Sequence, residues 1–484
     1  MSWLLRKEIL NMDKTIPDVY KISDILSDGS LVEMFYKPES NTTGFVVSNG
    51  QSANLEEVKF VELINTEQDK ILPWPPTDQM LKSGFLKLPN DIEGYGDNHR
   101  LFAAIKMHLK KWIFLPEEFY TIAAIYIMMT WVYDKFPVVP YLRVIGGFGS
   151  GKTRFLEVVG SLCYKAMFFG GPASNSAIFR TLNQIKGTMV FDETDFKNSD
   201  MWSIIVKILN AGHIKNFPVL RMEPKKDGTF KTVVFDVFGP KILASRERFG
   251  DQALESRCIT QWLYHGKANG FPITMSKDNE DIAAFLRRML LAFRFSNYGK
   301  VEITEQYTDK IKTPRVKQTF SAMLTVAALI GEDVVNKVLE FGIKADNELK
   351  SQLHNSFETE VLICLQEMLA KDKNQAYVKK IRIKEVADWY SRKFYNEYND
   401  RPDSHYKSEE TGQMLVSQNY VVSAKRIGTI ISKLGIKKFR DSTGFSVPAS
   451  EYKRIHDLAE YYGITKTMLG TEKEEMEDQT PLLP

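Results

Sequence analysis

Two periodicities govern how apolar and polar positions follow one another along this chain, and its elements change where one gives way to the other. Leu31-Val32-Glu33-Met34-Phe35-Tyr36 and Gly44-Phe45-Val46-Val47-Ser48 flank a polar turn and predict a strand pair. Leu72-Pro73-Trp74-Pro75-Pro76 suits neither helix nor strand and predicts a linker. Residues 98–136 predict two helices. The second follows Pro116-Glu117-Glu118, a helix start, and is apolar from Tyr120 to Tyr133. That run is too short to span a bilayer and predicts a buried core helix.

From 141 to 265, short apolar runs alternate with helical ones, the pattern of a parallel sheet covered on both faces. Tyr141 to Ile145 reads as a buried strand and Arg154 to Val159 as an amphipathic helix. Thr188 to Phe191 reads as a strand and Asp200 to Ala211 as a helix. Pro218 to Met222 and Phe230 to Phe235 predict a β-hairpin, with Asp227-Gly228 as its turn signal. Lys241 to Ser245 and Ile259 to Tyr264 read as two more strands. The expected domains are a small N-terminal α+β region (1–75), an α/β core with a helical lead-in (76–278), a helical segment (279–353), a second α/β domain (354–462) and an acidic tail (463–484) that reads as disordered.

Composition narrows the classes. A chain of 484 residues allows two or three domains, and 43% hydrophobic content supports real cores. The net charge is only +3, so a nucleic-acid surface must be local. It is local: Lys371 to Arg440 holds 16 Lys and Arg against 8 Asp and Glu. The three cysteines, Cys163, Cys258 and Cys364, lie far apart, with no zinc spacing. They imply a reduced, cytoplasmic chain. The N-terminus shows no secretory signal pattern, and no membrane partner is expected.

The chemistry lies in the α/β core. Gly146-Gly147-Phe148-Gly149-Ser150-Gly151-Lys152-Thr153 fits G-x-x-x-x-G-K-[ST] between a strand and a helix. Its glycines let main-chain N–H groups wrap a phosphate, Lys152 reaches the β/γ-phosphates, and the Thr153 hydroxyl ligates Mg²⁺. Forty residues beyond Lys152, the strand Thr188 to Phe191 ends in Asp192-Glu193. A nucleotide site needs one carboxylate for the Mg²⁺ shell, which suits Asp192, and a second group to orient and deprotonate water, which suits Glu193. ATP and Mg²⁺ are the expected cofactors.

The order of elements after Glu193 resembles AAA+ ATPases, more narrowly the helicase and replication-initiator ATPases of plasmids, phages and other mobile elements. These are related in organisation to minichromosome-maintenance and superfamily 3 helicases. The resemblance covers roughly 98–353 and implies a P-loop core with a helical lid, a hexameric ring and work on DNA alongside other replication proteins. It implies that the hairpin before the "sensor 1" strand projects into a DNA channel, where Lys225 and Lys226 would track phosphates. It implies that Leu254-Glu255-Ser256-Arg257 supplies an arginine finger to a neighbouring subunit. Arg257 is the first choice, with Arg246 and Arg248 as rivals. Sensor 1 commonly carries Asn; here the candidate is Ser245. A sensor 2 arginine in the lid would be Arg287, Arg288 or Arg294.

The C-terminal domain resembles a winged helix. Ser423 to Gly435 predicts a helix with Ser423 as N-cap, apolar Ile427, Ile430, Ile431 and Leu434, and Gly435 as stop. Lys425, Arg426 and Lys433 fall mostly off its apolar stripe. Ile436-Lys437-Lys438-Phe439-Arg440, a polar turn and Phe445-Ser446-Val447 follow as a basic hairpin. Ile381-Arg382-Ile383 and Lys384 to Tyr395 read as the preceding strand and helix. Lys425, Arg426, Lys433, Lys437, Lys438 and Arg440 are the expected DNA contacts. The resulting expectation is an ATP-hydrolysing DNA helicase or initiator, or else an ATP-dependent DNA-binding switch that recruits partners without unwinding.

Overall fold

The computed structural model describes residues 18–48, 58–66, 70–170, 175–192, 200–224, 228–249, 251–264, 271, 275–303, 305–354, 356–370, 380–399, 405–407, 414–416 and 422–464. The chain divides into two compact units, 1–344 and 345–484.

Seven short strands open unit 1: β1 (Asp18–Lys21), β2 (Ser23–Ile25), β3 (Leu31–Lys37), β4 (Thr42–Ser48), β5 (Lys59–Val61), β6 (Ile64–Asn65) and β7 (Lys70–Pro73). The predicted strand pair is β3 and β4, in a four-stranded sheet of order β2-β3-β4-β5. Among the described residues no helix precedes α1 (Gln79–Lys82). Ile22, Val32, Met34 and Phe45 share one hydrophobic cluster with Met167 and Phe179 further along the chain.

The central sheet holds β8 (Leu86–Lys87), β9 (Tyr141–Ile145), β10 (Ala166–Phe169), β11 (Met189–Phe191), β14 (Lys241–Ser245) and β15 (Cys258–Trp262), while β12 (Val219–Pro224) and β13 (Phe230–Phe235) form a separate hairpin. The sheet order is β15-β9-β14-β11-β10-β8, with every pair parallel except β10 with β8. All residues of β9, β11 and β14 are buried, Arg143 and Lys241 included, as in a sheet covered on both faces.

The helical lead-in is α2 (Asn98–Trp112) and α3 (Glu117–Thr130). Asp97 caps α2 by accepting from the Arg100 N–H at 2.8 Å. Leu101, Phe102, Ile105, Leu109 and Trp112 bury one face of α2, whereas α3 is buried from Phe119 to Thr130. Next come α4 (Lys152–Gly160), α5 (Asn175–Ile185), α6 (Asp200–Ala211), α7 (Gln252–Glu255), α8 (Lys277–Asn297), α9 (Pro314–Ala328) and α10 (Glu332–His354), which runs through the division between units.

Two polar clusters sit inside unit 1. Arg294 on α8 is 2% exposed; its Nε donates to Glu33 Oε1 (2.7 Å), and Nη1 and Nη2 donate to the two Asp134 oxygens (2.9 and 2.8 Å). Lys241 is 1% exposed and its Nζ donates to the Gly212, Val237 and Gly239 carbonyls at 3.1, 2.9 and 2.7 Å. Burial pushes the Lys241 ammonium down to about 7 from 10.5. A depressed lysine means that the folded state binds fewer protons than the unfolded one, so this group's contribution grows as pH rises from about 7 to 10.5. We expect urea midpoints of wild type minus Lys241→Met to increase between those pH values. A flat difference would refute it.

Unit 2 contains α11 (Phe357–Ala370), β16 (Lys380–Arg382), α12 (Ile383–Asn399), β17 (His405–Lys407), β18 (Met414–Val416), α13 (Ala424–Lys433), β19 (Phe439–Asp441), β20 (Gly444–Pro448) and α14 (Tyr452–Tyr461). β16, β20 and β19 form an antiparallel sheet. Ile381, Val386, Ile427, Ile431 and Val447 lie in one core cluster. Ser423 caps α13, and Gly435 past its end has φ +70°, where a Cβ is strained.

Candidate nucleotide site

β9 lies between β15 and β14, so the chain leaves its C-terminal end where neighbouring connections diverge. Crevices of this kind hold ligands in open α/β sheets. The loop that follows is built on glycine. Gly149 and Gly151 have φ of +71° and +92°. A Cβ on Gly146 would come within 2.4 Å of Ser150 Oγ and 2.7 Å of the Leu263 carbonyl. Gly151 opens α4, whose free N–H groups and dipole face the loop. Phe148 at the loop is 88% exposed.

Lys152 Nζ donates to the Gly146 and Gly147 carbonyls, each at 2.8 Å. Thr153 Oγ1 donates to Asp192 Oδ2 at 2.9 Å. Two parts of the chain 39 residues apart thus bring a hydroxyl and a carboxylate together at the N-terminus of α4. Oxygen donors of this kind suit a hard divalent cation. Glu193 lies outside the described residues, as do Lys225 and Lys226 at the hairpin turn.

Ser245 ends β14 beside the loop, and its carbonyl accepts from the Gly146 N–H at 3.1 Å. Its hydroxyl donates to the Glu247 carbonyl at 2.9 Å, and the residue is 1% exposed. Arg246 and Arg248 follow on the same sheet edge and are exposed. Arg248 Nη1 lies 3.7 Å from Glu255 Oε1. Arg257 lies at the opposite edge, before β15, with its carbonyl accepting from the Tyr141 N–H at 2.9 Å and Nη1 donating to Asn210 Oδ1. The length of β9, about 16 Å at 3.3 Å per residue, separates it from its own loop.

Glu255 in the same segment anchors the interior. It accepts from Arg143 Nη1 at 2.8 Å, from Arg143 Nη2, and from the Phe249 N–H at 3.0 Å. Arg287 donates to the Ser161 carbonyl (3.0 Å) and Glu280 (2.8 Å). Arg287 is buried against an exposed Glu280, and Arg294 is buried with Glu33 and Asp134. Arg288 is half-buried, with its guanidinium 5.2 Å from the Phe285 ring.

A cavity of ≈ 200 Å³ opens beside the loop, lined by Trp112, Leu115, Phe155, Trp262 and Tyr264 as well as Ser150 and Gly151. Sequence motifs did not point to it. Its walls come from the end of α2 and the exit of β15, about 150 residues apart, and the aromatics at 262 and 264 were the available signal. Among the described residues, no group of three His, Cys, Asp or Glu gathers to hold a metal, and no helix is long and apolar enough to cross a membrane.

The hairpin β12–β13 has two unlike faces. Arg221 stacks 4.7 Å from the Phe179 ring and Glu223 accepts from Arg180 on the α5 side. Leu220, Met222, Phe230 and Val234 on the other face are 54–65% exposed. In unit 2, Lys425, Arg426, Lys433, Lys437, Lys438 and Arg440 are all exposed.

The strand, glycine loop and helix, with Asp192 at the end of β11 two strands away in the same sheet, define a mixed α/β protein built around a phosphate-loop sequence. No family model matches the chain and no curated protein matches it. Among solved structures, the NrS-1 C-terminal region (305–718) is 9% identical, with 86% of this chain and 96% of that chain covered at a TM-score of 0.32. JCV helicase is 15% identical over 54% of this chain and 63% of its own at 0.23, and Cdc6p from Pyrobaculum aerophilum is 10% identical over 72% and 96% at 0.19. Likenesses at this level decide neither the fold nor the activity of this chain.

Proposed function

We propose that this protein is an AAA+-type ATPase that forms a ring, probes DNA through unit 2 and the β12–β13 hairpin, and unwinds or melts it. The observation that carries the reading is the Thr153–Asp192 contact at the end of a glycine loop, which joins the two halves of a nucleotide site across 39 residues. The amides of Gly147 to Thr153 would hold the phosphates, Lys152 would neutralise them, and the aromatic cavity would take the base. Thr153 and Asp192 would hold Mg²⁺, which neutralises charge on the phosphates when bound. Glu193 would orient water. Arg257, too far from its own loop, would act on a neighbour's nucleotide; Arg246 and Arg248 remain the rivals on the other edge. Ser245 would steady the loop through its main chain. The order α11, β16, α12, β17, β18, α13, β19, β20, with β16, β20 and β19 in one sheet, supports a winged helix with α13 presented to DNA.

The test is ATP hydrolysis with and without forked DNA, alongside strand separation, for wild type, Glu193→Gln and Lys225→Ala/Lys226→Ala. The expected result is DNA-stimulated hydrolysis in wild type, with unwinding lost in both variants. Hydrolysis indifferent to DNA, or normal unwinding by the lysine variant, would sink the motor and leave an ATP-dependent recruitment switch.

A further inference from the structure

Unit 2 carries six exposed cations in one region and, a short way along the chain, a matching run of acid. Lys438 Nζ donates to the Gly428 carbonyl on α13 at 2.8 Å, which lays the approach to β19 against that helix. Lys438 and Arg440 both flank the Phe445 ring, at 5.3 and 5.7 Å. Lys425 lies one turn before Gly428 on α13, so the helix and hairpin cations form a continuous basic face. Two acids in the same part of the unit are already engaged: Asp441 accepts from Lys380 (2.5 Å), and Glu451 accepts from the Lys437 N–H (3.1 Å). Among the described residues, none of Lys425, Arg426, Lys433, Lys437, Lys438 and Arg440 is in an ion pair.

We propose that Glu472–Asp478 docks on this basic face and competes there with nucleic acid; the competition rests on reading the face as a DNA surface. The segment Glu472-Lys473-Glu474-Glu475-Met476-Glu477-Asp478 has five acids and one lysine, a net charge of −4. Its tether is the right length. Arg454 in the first turn of α14 packs against Gly435 at the end of α13, where an added Cβ would lie 2.6 Å from the guanidinium. The start of α14 therefore lies beside α13. α14 has 10 residues, about 15 Å at 1.5 Å per residue. Residues 465–471 separate Ile464 from Glu472, and these seven span up to about 23 Å. The acidic run can double back along α14 to Lys433 and Lys437. Tethering gives a local concentration on the order of millimolar, enough for a weak ionic contact to compete.

The experiment compares the full chain with a length-preserving variant, Glu472→Gln/Glu474→Gln/Glu475→Gln/Glu477→Gln/Asp478→Asn. Binding to a fluorescent duplex is expected to be about tenfold tighter for the variant at ~50 mM salt and within about twofold at ~300 mM, where screening removes the ionic contact. A second readout needs no DNA: carbodiimide coupling should join tail carboxylates to Lys425, Lys433, Lys437 or Lys438, mapped by mass spectrometry, and fade with salt. Equal affinities overturn the competition. Tighter binding by the variant without coupling marks simple repulsion between tail and DNA and overturns the docking. Coupling in a protein that binds no DNA in either form upholds the docking and overturns the DNA reading instead.

Discussion

ATP turnover by Lys152→Ala is expected to fall at least roughly a hundredfold, the scale of losing a fixed charge at a developing anion. Lys152 begins α4, and its ammonium already sits within the loop, on the Gly146 and Gly147 carbonyls. Those are hydrogen bonds of a half-exposed group, worth about 0.5–1.5 kcal/mol each, so the variant should melt close to wild type. Lys152→Arg should not restore turnover, because a planar fork does not replace a compact ammonium among carbonyls. Glu193→Gln gives the informative contrast: nucleotide affinity retained, hydrolysis lost. Phosphate release and nucleotide binding, measured on all three, decide the matter. Turnover within twofold of wild type for Lys152→Ala would remove the loop from the chemistry.

What could be read from the chain beforehand depended on whether the determinant was local. The phosphate loop was legible because the motif fixes glycine where the backbone needs it, at Gly151 with positive φ and at Gly146 where a Cβ would collide with Ser150. α13 was legible for the same reason, from its Ser423 cap and the left-handed Gly435. The hairpin β12–β13 was marked by Asp227-Gly228. The base-sized cavity was not legible, because Trp112 and Trp262 meet only through the tertiary fold. Nor was the edge strand β8, whose two residues carry no periodicity. Arginines were the least readable. The resemblance offered Arg287, Arg288 and Arg294 for the lid without ranking them, because a helix pattern reports which positions share a face, not what that face meets. One partner of Arg294 is Glu33, 261 residues away.

That partnership sets the largest expected change in stability. Arg294→Met should destabilise unit 1 by roughly 3–5 kcal/mol, the cost of stripping one partner from a buried ionic network. The loss comes mainly from what remains. Among the described residues, Glu33, 4% exposed, would keep the Tyr164 hydroxyl at 2.6 Å, and Asp134 the Tyr298 hydroxyl at 3.1 Å. Burial alone would raise the Asp134 carboxyl, yet the Arg294 guanidinium outweighs it and holds the group below its ordinary 3.8. A depressed carboxyl contributes stability that is complete above 3.8 and disappears as pH falls through the folded value. The wild-type advantage over Arg294→Met should therefore shrink in acid, by urea titration at neutral pH and below 3.8. The triple variant Glu33→Gln/Asp134→Asn/Arg294→Met should recover part of the loss, because it removes the orphaned charges together with their partner. If Arg294→Met alone unfolds at the wild-type midpoint, the network is not what fastens β3 to α8. If the triple variant is no better than the single, the penalty lies in packing against Tyr164 and Tyr298, whose rings sit 4.7 and 4.8 Å from the guanidinium carbon.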